Sequence, residues 1–154
     1  MELVGPTVDA VIECERVLRS LPAWFGIESS LIEYARSTKQ LPTFLAVSNG
    51  EVVGFVSVRR HFAQAWELHC IAVAASHRRE GVGRALLSRA EAWLQGQDAR
   101  VLQVKTIAES HPSAEYAETR QFYAQVGFEP LEVFPTLWDP GLPVLQLLKP
   151  LHRR

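Results

Sequence analysis

The residues best equipped for chemistry stand together in SHRREGVGRALL, residues 76–87. His77, Arg78 and Arg79 precede Gly81 and Gly83, and an apolar run of helical character follows. A helix start is the positive end of the helix dipole, which favours anions and disfavours cations. Its first backbone N–H groups have no partner within the helix. Two glycines leave those donors open to a ligand, and the arginines add charge at the rim. Together they describe a pocket for a phosphate or diphosphate. The plain alternative is that the arginines only face water. The dinucleotide pattern G-x-G-x-x-G is not met, because Leu86 fills the third glycine position. The P-loop pattern G-x-x-x-x-G-K-[ST] is absent. What remains is Arg78-x-x-Gly81-x-Gly83, behind an apolar run ending Cys70-Ile71-Ala72-Val73.

Such a loop needs a strand before it and a helix after it. The pattern predicts a strand over Ala65–Ala74 and a helix over Gly81–Leu94. Upstream, TFLAVS and EVVGFVSVR flank Asn49-Gly50, the strongest short hairpin signal in the chain. A short first strand over residues 2–4 is expected. A helix is expected over Val8–Leu18, capped by Thr7, with a second helix capped by Ser29 or Ser30. Ala99–Ile107 reads as a strand. Tyr116–Val126 reads as a helix stopped by Gly127. Two late strands are expected near Leu131–Phe134 and Val144–Leu148, separated by Pro135, Pro140, Gly141 and Pro143. The order β-α-α-β-β-β-α-β-α-β-β describes one α/β domain: an antiparallel meander leading into a βαβ unit, a mixed sheet with helices on its faces.

Composition narrows the function. The 154 residues suffice for one domain with a core, and 47% hydrophobic with 21% charged residues is ordinary for a globular protein. A net charge of −1 provides no positive field for nucleic acid. No apolar run approaches the ~20 residues of a membrane span. The first ten residues lack a signal-peptide layout. Cys14 and Cys70 read as small buried hydrophobes in a reducing compartment, so a cytoplasmic location is expected. His61, His69, His77, His111 and His152 lack metal-site spacing, and no metal is expected.

IAVAASHRREGVGRALL resembles the acyl-CoA-binding motif of the GNAT superfamily of N-acetyltransferases, [QR]-x-x-G-x-[GA]. The preceding apolar strand, the amphipathic helix and the downstream segment QFYAQVGF, similar to the family's F-Y-x-x-x-G-F, strengthen the resemblance. It covers roughly Thr43 to Phe128. It implies a GNAT-like twisted mixed sheet of about six to seven strands flanked by about four helices.

The resemblance also implies transfer of an acetyl group from acetyl-CoA to a primary amine, by direct attack in a ternary complex. The diphosphate of the co-substrate would lie on Arg78, Arg79, Glu80, Gly81, Val82, Gly83 and Arg84. The pantetheine arm would pair with Ile71, Ala72 and Val73, in a slot where this strand splays from Ala99–Ile107. Tyr123 matches the family's tyrosine beside the thioester sulfur and is the candidate general acid. Glu67 and His69, two apart on one strand, share a face and are the candidate bases. A histidine with its ordinary pKa near ~6.5 suits proton transfer at neutral pH, and a glutamate works through water or with a raised pKa. Cys70 is expected to face the other way. The family often has an asparagine seven residues before the tyrosine; here that position is Tyr116, and Arg120 is an alternative phosphate contact.

The acceptor is a small-molecule amine or a protein amine. Glu28, Glu33, Glu109, Glu115, Glu118 and Asp139 are candidate acidic walls for it, and Trp138 a candidate apolar wall. No nucleic acid and no membrane is expected as a partner; the family resemblance and the late strands allow a homodimer. The competing reading is a catalytically inactive CoA-binding or protein-interaction module on the same fold.

Overall fold

A computed structural model describes residues 1–151, so His152 lies outside the described residues. The elements are β1 (Glu2–Thr7), α1 (Val11–Arg19), α2 (Glu28–Ser37), β2 (Thr43–Ser48), β3 (Glu51–Phe62), β4 (Ala65–Val73), α3 (Val82–Gly96), β5 (Val101–Ile107), α4 (Ala114–Gln125), β6 (Glu129–Asp139) and β7 (Leu142–Pro150). They build a seven-stranded mixed sheet in the order β1-β2-β3-β4-β5-β7-β6. Only β4 and β5 run parallel, joined through α3 as a βαβ unit. Asn49 and Gly50 turn the β2–β3 hairpin with φ of 51° and 79°, the positive values that such a tight turn requires.

Two apolar cores cover the two faces. Leu86, Leu87, Ala90 and Leu94 of α3 pack with Phe44, Val56, Val58, Trp66 and Leu68 of β2–β4. On the opposite face Cys14, Val17 and Leu18 of α1 and Leu31 and Ala35 of α2 pack with Phe55, Cys70 and Ala72. Membership of these cores exposes an irregularity in β4. Trp66 and Leu68 face α3, yet the next residues to pack on that side are Ile71, three positions on, and Val73, while Cys70 and Ala72 belong to the α1–α2 side. The register explains this: Ser57 pairs with Cys70 but Val58 with Leu68, so His69 is the extra residue of a β-bulge.

The bulge corrects one expectation. Strict alternation sends His69 and Cys70 to opposite faces. Instead Cys70 joins the α1–α2 core, and the His69 ring lies against Tyr34 of α2, so both sit on that face. Glu67 remains on the same side as His69, as expected.

Several element boundaries differ from the sequence pattern. Thr7 does not cap α1; it is the last residue of β1 and pairs with Thr43. The helix starts at Val11 behind Ala10, which offers no side-chain cap. Its buried face is Ala10, Cys14, Val17, Leu18 and Leu21, whereas Val8 and Ile12 are exposed. Neither Ser29 nor Ser30 caps α2; Ile27 holds that position and both serines lie in the first turn. The start of α4 is Ala114, capped by Ser113, whose Oγ accepts the Tyr116 N–H at 3.3 Å. The late strands are longer than expected. Pro140-Gly141 connects them as a hairpin, and Pro135 stands within β6 where its pairing is irregular. β6 is the edge strand, so the missing N–H of Pro135 and Pro130 is tolerated there.

The close approach of α3 to the sheet depends on Gly54. A Cβ there would sit 3.1 Å from the Ala72 carbonyl oxygen and 3.2 Å from both Leu86 and Val82 side chains. Gly54→Val is expected to destabilise the protein by about 1–3 kcal/mol through overpacking, read as a lower midpoint in urea unfolding.

Candidate active site

The sheet opens where the bulge lies. β4 and β5 pair only through Ala65–Val101, Trp66–Leu102 and Glu67–Gln103. Beyond Glu67 no ladder joins them on the way to the loop that leads into α3. An open cleft of about 490 Å³ occupies the α3–α4 side of this split. Its walls are Ile71–Val73 of β4, His77–Arg79 and Gly81–Arg84, the α4 residues Glu118, Thr119, Phe122 and Tyr123, and Leu21, Trp24 and Phe25 from the α1–α2 connection. Of the residues expected to bind the co-substrate, Glu80 alone is exposed and outside the cleft lining.

The loop is built to present backbone donors. Gly81 adopts φ 79° and directly precedes α3; no side chain caps the helix and no acidic residue stands in its first turn. A Cβ at Gly81 would meet nothing within 4 Å, so this glycine serves its left-handed backbone and keeps the approach open. Gly83 has a different reason. A Cβ there would lie 3.4 Å from the Phe122 ring, so its smallness belongs to the contact between α3 and α4. Arg79 also has positive φ, 65°, which is uncommon for a residue with a side chain. That side chain is 85% exposed. Arg78 is held instead: its Nη2 donates to Glu118 Oε1 at 2.8 Å, and its guanidinium lies 4.2 Å from the Trp24 ring centre. Arg120 donates to the Ile107 carbonyl at 2.7 Å and is not part of the cleft wall, which removes it as a phosphate contact.

Tyr123 is both core and wall. Its ring packs edge-on against Phe128 at 5.5 Å and beside Phe122 at 5.7 Å, and it is 5% exposed. Burial pushes its phenol well above the usual range, so it stays protonated and able to donate. The Phe128 N–H donates to the Tyr123 carbonyl at 2.9 Å, and Gly127 ends the helix with φ 101°. This closure fixes the backbone that carries the ring.

Glu67 and His69 lie on the other side of the sheet and do not line this cleft. Glu67 is engaged twice: Oε1 lies 2.7 Å from His61 Nε2 and Oε2 3.0 Å from Lys105 Nζ. Burial alone would raise its pKa, but the hydrogen bonds and charges of His61 and Lys105 outweigh burial and hold it below the ordinary value. A carboxylate so held is a weak base. His69 is the reverse case. Burial, reinforced by the Arg59 charge, lowers its pKa against the opposing pull of Glu67 and Glu33, so the ring is neutral at pH 7. Its Nε2 is buried with no hydrogen-bond partner, and the ring lies 5.3 Å from that of Tyr34. Tyr34, also buried, is pushed up to about 12.

Two residues of the site carry no motif signal. Trp24 is tied across to α4 by its Nε1, 3.1 Å from both the Glu115 carbonyl and Thr119 Oγ1, and by Tyr116 Oη donating to the Trp24 carbonyl at 3.1 Å. Lys105 anchors Glu67. Only tertiary structure places either. Among the candidates for an acidic wall, Glu28 pairs with Arg19, Glu118 lines the cleft and pairs with Arg78, and Asp139 stands on the exposed edge strand with Trp138. No group of three or more His, Cys, Asp or Glu side chains is placed to hold a metal among the described residues, and none of their helices is long and apolar enough to cross a membrane.

A mixed sheet split between two parallel strands, with an uncapped helix start and a cationic loop at the split, defines an acyltransferase fold. The model of the Acetyltransferase (GNAT) family matches residues 13–128, and the chain belongs to that family. A GNAT-family protein from Desulfovibrio desulfuricans is similar in structure with a TM-score of 0.83 at 19% identity, over 98% of this chain and 99% of that one. An aminoglycoside 6′-N-acetyltransferase complexed with coenzyme A gives 0.78 at 18% identity, over 100% and 99%. Ard1 from Thermoplasma volcanium gives 0.78 at 15%, over 99% and 98%. At these identities the likeness is one of fold. No protein of curated function matches the chain in sequence.

Glu67 supports a pH prediction. A carboxyl with a lowered folded pKa contributes stability that is fully present above its unfolded value, near 4.5, and is lost as pH falls through the lower folded value. Glu67→Gln is therefore expected to flatten the stability–pH curve in that acid window, measured by urea unfolding at a series of pH values.

Proposed function

We propose that this protein transfers an acetyl group from acetyl-CoA to a primary amine, on a small molecule or a protein, by direct attack in a ternary complex. The carrying observation is the β4–β5 split, with Tyr123 in the cleft on its α3–α4 side and the unpartnered His69 Nε2 on its α1–α2 side. The residues present fit the co-substrate: an open glycine of left-handed backbone, uncapped first-turn N–H groups and two arginines suit a diphosphate. The unladdered edge of β4 at Ile71–Val73 offers backbone groups for an extended arm. Bound acetyl-CoA supplies the activated thioester.

The chain's own residues then divide the proton work. His69, neutral and unpartnered, accepts the proton that the amine must lose to attack the carbonyl carbon. Backbone N–H groups on the unladdered β4 edge face the oxygen on which charge develops. As the new C–N bond forms and the C–S bond breaks, the nitrogen releases its second proton to solvent, while Tyr123 Oη gives its proton to the departing sulfur and regains one from solvent. Glu67, pinned by His61 and Lys105, fixes the strand surface beside His69 and does not itself act as base. On the proposed acceptor side the His69 ring packs against Tyr34, which in turn meets the Phe25 ring edge-on.

The test is calorimetric titration with acetyl-CoA of the wild type and of an Arg78→Ala, Gly81→Val double variant, followed by an amine-panel assay with thiol detection. Micromolar binding by the wild type, lost in the variant, with turnover on some amine, is expected. Binding without turnover on any amine would favour the inactive CoA-binding module; no binding would remove the co-substrate. On an active amine, Tyr123→Phe and His69→Ala are each expected to lower kcat on the order of 10²-fold. The acid limb assigned to His69 should fall below its ordinary value of 6.5 in the pH profile of kcat/KM.

A further inference from the structure

Arg78 touches three parts of the molecule at once. It belongs to the loop before α3, its Nη2 donates to Glu118 Oε1 of α4 at 2.8 Å, and its guanidinium rests 4.2 Å from the Trp24 ring centre in the α1–α2 connection. The Arg79 Nη2 lies 3.7 Å from the same Glu118 oxygen. Glu118 lines the cleft in the turn of α4 before Phe122 and Tyr123. One carboxylate oxygen thus faces both arginines of the loop. A diphosphate seated on that loop needs the same two cations, and it cannot share them closely with a carboxylate without like-charge repulsion.

We propose that Glu118 is an internal stand-in for the phosphate groups of the co-substrate. Its carboxylate holds Arg78, with Arg79 in reach, in the orientation that a diphosphate would use, and must yield them when the diphosphate binds. Glu118 is then a positioning residue that sets co-substrate affinity and selects against weakly charged anions, which cannot displace it. The Trp24 indole keeps its place during this exchange, because its ties run to Glu115, Tyr116 and Thr119 and not to Glu118. The Arg78 guanidinium can therefore leave the carboxylate while still resting on the ring. This inference rests on the loop being the acetyl-CoA site.

The experiment compares wild type, Glu118→Gln and Glu118→Ala with two ligands: acetyl-CoA, and S-acetylpantetheine, which has the thioester and arm but no phosphate. Calorimetry gives Kd for acetyl-CoA; kcat/KM is measured for both. Both variants are expected to bind acetyl-CoA about two- to fivefold more tightly, the range set by releasing a partly exposed ion pair. The gain should shrink as salt rises, and S-acetylpantetheine should show no such gain. Weaker or unchanged acetyl-CoA binding in Glu118→Gln overturns the proposal, as does an equal gain with S-acetylpantetheine. Failure of the wild type to bind acetyl-CoA would instead overturn the co-substrate reading itself, and this inference with it.

Discussion

The interruption of β4 governs the rest of this structure. One extra residue, His69, shifts the strand's register against β3, and from there on the two faces of the strand exchange partners. Before the bulge, Trp66 and Leu68 anchor the strand under α3. After it, Cys70 and Ala72 anchor it under α1 and α2, which leaves Ile71 and Val73 on the cleft side. The same stretch loses its ladder to β5. A continuous sheet would seal its two faces from one another. Here the β4–β5 ladder stops at Glu67, with the Tyr123-lined cleft at Ile71–Val73 and His69 packed against Tyr34 on the α1–α2 face.

Opening a sheet is costly, because unpaired backbone groups and lost packing must be offset elsewhere. Here the offset comes from neighbours on both sides. The β3–β4 ladder runs the full length of β4. β5 recovers its own pairing on its other edge, with seven register pairs to β7 from Val101–Pro150 to Ile107–Val144. Across the mouth of the split, Trp24 and Tyr116 tie the α1–α2 connection to α4, while the Glu67–Lys105 contact stitches β4 to β5 at the last paired residue. That ion pair is mostly sheltered from solvent and shares its carboxylate with His61. It therefore holds the fork of the two strands more than any exposed pair could. This carboxylate, a candidate base by the family resemblance, also fastens the two strands.

What the sequence made legible follows from how local each signal is. Asn49-Gly50 and the loop from Arg78 to Gly83 encode their conformations through φ preferences within a few residues, so hairpin, loop and following helix were readable, and the family resemblance with them. The bulge was not. It arises from the register of Ser57 against Cys70, between strands whose alternating pattern runs unbroken through His69. Period-two reasoning therefore put Cys70 on the wrong face. Thr7 and the serines at 29 and 30 looked like caps because hydroxyl residues favour that role. Thr7, however, is claimed by pairing with Thr43, and the core contacts of Leu31 and Ala35 set the start of α2 two residues earlier. Glu118, the partner of Arg78, and Lys105, one of the two partners of Glu67, are 40 and 38 residues distant along the chain, beyond any spacing rule.

The polar atoms around the bulge bring fold and chemistry together. Ser57 Oγ and His69 Nε2 are the two buried side-chain atoms left without a partner among the described residues, and the register places both at this one interruption. Ser57 shares the side of β3 that carries Phe55, which belongs to the α1–α2 core, so the two atoms lie on one face. An orphaned buried polar group costs about 1–3 kcal/mol, and two at a single bulge make a local deficit that packing could have erased with alanine and leucine. The His69 ring, neutral because burial lowers its pKa, keeps that nitrogen dry and unpaired. The fold thus keeps its two orphaned buried polar atoms together at the bulge, beside the point where β4 loses its ladder to β5.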